Sequence, residues 1–174
     1  FKGPKNIAPE EHARLIGARG GEANAFTTQD VTAYHEDVTS ESLQLVTDLN
    51  ARYREVDALW SLDIDQSGFQ WIDAQDWEDS VISFLRKAKD ARDQLLVVCN
   101  FTPVPRTQYR IGVPSGGYWR ELLNSDAREY GGSGQGNAGG IDAATVGAHG
   151  HYHSLVLTLP PLSILVLKNE SAAQ

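Results

Sequence analysis

Two hydrophobic periods divide this chain. Between residues 39 and 57, Leu43, Val46, Leu49, Asn50 and Tyr53 recur at helical spacing, with Thr39 or Ser40 as the cap. That pattern predicts a helix over 39–57. After Asp57 the period becomes two. Residues 68–72, 80–85, 94–101, 109–113, 118–123, 154–159 and 163–167 read as strands between turns of Gly, Pro and Asp. Upstream, Pro9, Glu10 and Glu11 suit the start of a short helix over 8–20, which Gly20-Gly21 stops. Residues 24–34, with Phe26, Val31 and Tyr34 among Thr and Gln, suit a strand or hairpin. The expected fold is mainly β: an antiparallel β-sandwich of about seven or eight strands, preceded by one helix and a small α/β N-terminal appendage. The expected divisions are 1–38, 39–57, 58–168 and a tail over 169–174.

Composition narrows the function classes. Hydrophobic content of 41% against 22% charged residues is that of a globular chain, not a disordered one. A net charge of −8 and a pI near 5.0 argue against nucleic acid or an anionic membrane as partner. No apolar run approaches the ~20 residues of a membrane-crossing helix, and the start lacks the apolar segment of a signal peptide. A sequence without Met implies a piece of something longer. The single Cys99 excludes an internal disulfide, favours a reducing compartment, here the cytoplasm, and reads as a buried structural thiol within the apolar run 95–99. Residues 131–140 hold six Gly, but no phosphate-loop Lys accompanies them, so they read as a plain loop.

Specific strings then carry a resemblance. After the helix come Leu62-Asp63-Ile64-Asp65 and Gly68-Phe69-Gln70-Trp71-Ile72, then Ser80-Val81-Ile82-Ser83-Phe84-Leu85-Arg86. Asn100-Phe101-Thr102-Pro103-Val104-Pro105-Arg106 and Gly117-Tyr118-Trp119-Arg120-Glu121-Leu122-Leu123-Asn124-Ser125-Asp126 follow. Tyr130-Gly131-Gly132-Ser133 and His149-Gly150-His151-Tyr152-His153-Ser154-Leu155 complete the order. Over about residues 43–168 the chain resembles the C-terminal all-β domain of bacterial glycogen branching enzymes, in the α-amylase superfamily. The resemblance makes residues 39–57 the last helix of a catalytic barrel that these residues do not contain. Phe1-Lys2-Gly3 and Gly20-Gly21-Glu22-Ala23-Asn24-Ala25-Phe26-Thr27 are similar instead to pitrilysin-type zinc peptidases, which include mitochondrial processing peptidases. In that family the inverted zinc motif stands just upstream of F-K-G, and the second string forms an edge strand that pairs with substrate. This implies a substrate-strand role for Asn24 and Ala25 and a junction of two unrelated genes near residues 36–43.

Function follows from what chemistry is left. Glycoside chemistry in retaining enzymes needs two carboxyl groups about 5–5.5 Å apart, which in this superfamily sit on a barrel of roughly 250 residues. The acidic cluster Asp63, Asp65, Asp73, Asp76, Glu78 and Asp79 reads as turn formers, with a catalytic or a calcium role as the sharper readings. On one strand, His149, His151 and His153 would share a face and suit zinc; otherwise they hold turns and surface. His35 and Glu36 read as structural. Trp71 and Trp119 offer stacking faces for a sugar, or else pack in the core or against the barrel; Trp60 and Trp77 stand beside turns.

The expectation is a non-catalytic accessory domain of an α-1,4-glucan branching enzyme, inactive alone, with no catalytic residue, metal or cofactor. Its expected partners are α-glucan, the absent barrel, and other copies through exposed apolar surface. The alternatives are a fragment of a pitrilysin-type zinc metallopeptidase, or a fusion with no evolved activity.

Overall fold

A computed structural model describes residues 22–27, 32–37 and 40–170. The expected helix over 8–20 lies outside them. Packing divides the chain into two units, Phe1–Thr47 and Asp48–Gln174.

In the first unit, β1 (Glu22–Thr27) and β2 (Thr32–Asp37) form an antiparallel hairpin. Asn24 stands opposite His35, and Ala25 opposite Tyr34. Helix α1 (Ser40–Glu55) spans the division between the units. Its last turn carries Arg52, which pairs with Glu55 at 3.3 Å. Arg52 and Arg54 also complement the negative C-terminal end of the helix.

The second unit is a β-sandwich. Its larger sheet has the order β3 (Phe69–Asp76), β4 (Val81–Lys87), β5 (Gln94–Asn100), β10 (Ser163–Asn169), β7 (Gly117–Asn124), β8 (Gly140–Ala143). All its neighbours are antiparallel. β6 (Arg106–Val113) and β9 (His153–Leu159) form the second, two-stranded sheet. Alternation explains the layering. Val81 and Leu85 of β4, Leu165 and Leu167 of β10, and Leu155, Leu157 and Leu159 of β9 point into one core with Trp119. β5 is apolar from Leu95 to Cys99 because it is buried on both faces: Leu96 and Val98 enter that core, while Leu95 joins a second cluster outside the sheet.

Both sides of the sandwich are laced shut. On one, Ala144 and Ser154 exchange backbone hydrogen bonds of 2.8 and 3.0 Å. On the other, β3 departs from regular register between Trp71 and Asp73 and again between Asp73 and Asp76. Asp73, Asp76 and Asp79 meet His149, Tyr109 and Arg106, which belong to the smaller sheet or its loops.

The strand missing from the sequence expectation is β8. It is four residues long, carries two strand-weak residues among its four, and exists because the edge of β7 offers it hydrogen bonds.

Candidate functional site

The two tryptophans proposed as sugar contacts lie in unlike places. Trp119 is 0% exposed inside the core, and its indole Nε1 donates to the Ser115 carbonyl at 3.1 Å. Neither ring face can meet a sugar, so a carbohydrate role for Trp119 is corrected to a core role. The side chain projects from β7 into the core cluster that includes Ile111, Leu155 and Leu167, which accounts for its burial. Trp71 is 51% exposed on edge strand β3. Its ring meets Phe69 edge-on at 4.9 Å and Phe84 edge-on at 5.7 Å, and the two Phe rings lie 5.0 Å apart. Antiparallel pairing of Trp71 with Phe84 puts both on the outer face of the larger sheet.

That outer face is half covered. Val56 and Ala58, just past α1, pack with Ala88 and Leu95 into a second buried cluster, flanked by Leu59, Leu122 and Val166. Arg86 fastens the segment: its Nη2 donates to the Leu59 carbonyl at 2.9 Å and pairs with Asp63 at 2.5 Å. Beyond this cover, Trp71 and Ile164 remain exposed, as do Leu49 and Tyr53 on α1. Sequence periodicity marked Phe84 as a strand position and stopped one residue short of Arg86; their roles depend on cross-strand neighbours that no local pattern names.

The acidic cluster resolves into turns and pairs. Asp65 caps a one-turn 3₁₀ helix by accepting from the Ser67 N–H at 2.8 Å, and that bond holds its carboxyl below the ordinary range. Asp73 accepts from the Gln75 N–H at 2.8 Å and lies 3.5 Å from His149 Nε2. Asp76 accepts from the Asp79 N–H at 3.0 Å and from the Tyr109 hydroxyl; burial first, then this bond, pushes the phenol upward. Asp79 pairs with Arg106 at 2.9 Å, while Glu78 is exposed.

The three histidines do not share a strand. Only His153 begins β9. His149 sits in a turn at φ 49° and accepts from the Gly112 N–H through Nδ1 at 3.0 Å. His151 follows Gly150, another left-handed turn residue. Its pKa is lowered, by burial first and then by His149 and Lys87. A two-residue reversal at 149–150 breaks the alternation, so of the two readings the turn role holds for His149 and His151 and the shared strand face does not form. Among the described residues no three His, Cys, Asp or Glu are placed to hold a metal ion. Nor does a described helix have the length and apolarity to cross a membrane. Asn24 and Ala25 lie on β1, and His35 and Glu36 on β2.

Comparison with known proteins complements this geometry. A family profile described as "Alpha amylase, C-terminal all-beta domain" matches residues 71–170. The chain is 59% identical over 127 residues to the 1,4-alpha-glucan branching enzyme GlgB of Aquifex aeolicus, which is 73% of this chain and 20% of that protein. It is 61% identical over 122 residues to GlgB of Aromatoleum aromaticum, 70% of this chain and 19% of that protein. With GlgB of a Synechocystis species it shares 50% over 131 residues, 75% of this chain and 17% of the relative. The chain thus spans about a fifth of the length of these curated relatives. Residues 1–38 lie outside the profile, which lends the peptidase resemblance no support.

Proposed function

The chain belongs to the family of alpha amylase C-terminal all-beta domains, and we propose that it is the non-catalytic β domain of an α-1,4-glucan branching enzyme, bracing the catalytic barrel. The observation that carries this reading is the half-covered outer face of the larger sheet. The segment after α1 seals the Leu95 end, whereas Trp71, backed by Phe69 and Phe84, stays half exposed. Edge-on contacts with Phe69 and Phe84 pack Trp71 into a stable aromatic ridge, of the kind that anchors interfaces. α1 is the natural link to a barrel, with Leu49 and Tyr53 facing outward for it. In this reading the chemistry belongs to the barrel, and the β domain supplies a rigid wall. A lone, buried Cys99 suits work in the reducing cytoplasm.

Complementation tests it. The purified chain alone should leave amylose unbranched by iodine spectroscopy. Added to Aquifex aeolicus branching enzyme shortened by its own C-terminal β domain, it should restore branching, and Trp71→Ala should restore markedly less. No restoration by the parent chain would count against bracing. Direct glucan contact by Trp71 is the second reading, favoured by its exposure; it requires Trp71→Ala to weaken oligosaccharide binding itself.

The likeness of residues 1–38 to pitrilysin-type peptidases is a separate proposal that rests on the sequence strings alone, with Asn24 and Ala25 on the β1–β2 hairpin. It brings no peptidase activity with it, and cleavage of a quenched peptide above a blank preparation would overturn that statement.

A further inference from the structure

Bare aromatic side chains on rigid turns gather at the end of the sandwich remote from the segment that follows α1. The segment after α1 packs on Ala88 and Leu95, where the β4–β5 pair ends at Lys87 and Gln94. Six residues along the same pair, at Val81 and Asn100, lies the opposite end, roughly 20 Å away. Three connections meet there: the turn 77–80, the loop 101–105 and the turn 160–162. Trp77 is 80% exposed and Phe101 60% exposed, and Val104 and Leu162 are exposed beside them.

These connections are locked. The Trp77 N–H donates to the Gln75 carbonyl at 2.9 Å, and the Asp79 N–H to Asp76 at 3.0 Å. Phe101 N–H donates to the Ser80 carbonyl at 3.1 Å, which joins the first turn to the loop. Leu162 N–H donates to the Thr102 carbonyl at 2.8 Å. Buried Asn100 closes the knot by donating to the carbonyls of Val104 and Pro160 at 2.9 and 2.8 Å. Ser80 and Leu162 hold left-handed backbone at φ 52° and 45°, a conformation that a leucine seldom takes. An ordered backbone thus presents an indole and a phenyl ring to solvent, with little entropy left to lose on binding.

We propose that this end of the sandwich is a binding platform for a neutral α-glucan chain, with Trp77 and Phe101 as its stacking faces. Three properties select that ligand. Flat ring faces on a fixed frame suit the apolar faces of pyranose rings. With Asp79 neutralised by Arg106, exposed Glu78 beside Trp77 disfavours an anionic ligand, while Gln75 and Glu78, both exposed, offer hydrogen bonds to hydroxyl groups. Four exposed apolar side chains fall well short of the roughly 20–30 residues per side of a stable protein interface. The glucan identity rests on the branching-enzyme reading; the platform lies at the Val81–Asn100 end of the β4–β5 pair, three residues beyond the Trp71–Phe84 pair of the outer face, so it would hold a long acceptor or donor chain at the border of the bracing surface.

Titration of the full 174-residue chain with maltoheptaose, followed by tryptophan fluorescence and calorimetry, tests the platform. A saturable response is expected below about 10 mM. Trp77→Ala and Phe101→Ala should each weaken binding about tenfold, whereas Tyr152→Ala, which removes a ring 90% exposed at the other end of β9, should change it by less than about twofold. Both variants remove exposed side chains, and circular dichroism verifies their fold. No saturable response, loss confined to Tyr152→Ala, or affinity retained in either platform variant overturns the proposal. So does self-association that vanishes in Trp77→Ala while maltoheptaose binding does not, which would make the patch a contact between copies. Failed titration with successful barrel complementation sinks the platform alone. Failed complementation with intact platform binding sinks the bracing role instead.

Discussion

Replacing Trp119 by alanine probes the core most directly. The ring is fully buried between the two sheets and packs in the cluster that includes Ile111, Leu155 and Leu167, with Ile141 at its margin. Burial of an aromatic side chain removes about 150–250 Å² from water, which at ~25 cal/mol per Å² corresponds to about 4–6 kcal/mol. Partial collapse of the site and the compact unfolded reference lower this, and measured Trp-to-Ala changes in cores fall at about 3–5 kcal/mol. Loss of the 3.1 Å bond to the Ser115 carbonyl adds at most about 1 kcal/mol. The expected loss is therefore about 4 kcal/mol, or roughly 8–16 °C in Tm for a chain of this size. Urea unfolding by near-ultraviolet circular dichroism measures it, with Trp71→Ala as the comparator. Half exposed, Trp71 gives up about 2–3 kcal/mol on the same area scale. A Trp119→Ala loss below about 1.5 kcal/mol, or one no larger than that of Trp71→Ala, would refute the assignment of the two rings to core and surface.

Gly112→Ala should destabilise the chain at the upper end of about 1–3 kcal/mol, because the new Cβ would lie 2.0 Å from the Ala148 carbonyl oxygen, a backbone atom that cannot swing aside. Unchanged urea stability would show that the 144–151 loop yields freely. The Cys99 thiol, pushed by burial up to about 11 from an ordinary 9.0, should make the fold alkali-sensitive. A raised folded value means that its stabilisation is complete below pH 9 and is lost as the pH climbs towards 11. Cys99→Val should therefore lose less Tm than the parent between pH 9 and 11; parallel curves would count against this.

Much of the fold was legible because its signals are local. Alternation in 80–85 and 154–159 marks strands whatever they pair with, and the apolar run 95–99 marks a strand covered on both faces. β8 was not legible, since four residues after a glycine-rich loop become a strand only when β7 presents a free edge. The site was legible in part. Trp71 and Trp119 sit in similar aromatic strands, and no local pattern separates a ring that stays in water from one that leaves it.

By itself, the sequence determined the change of period after Asp57, the strands that follow it other than β8, the buried thiol, and the strings shared with branching-enzyme tails. Only the tertiary structure decided the order β3-β4-β5-β10-β7-β8, and with it the burial of Trp119 and the exposure of Trp71. It also paired Asp76 with Tyr109 and Asp79 with Arg106, separated by 33 and 27 residues, and drew Trp77 and Phe101 to one end through Ser80. The physical reason is range. A period reports which face of an element is apolar, whereas the neighbour that covers that face is chosen by long-range pairing whose loop-closure cost no short window of sequence contains.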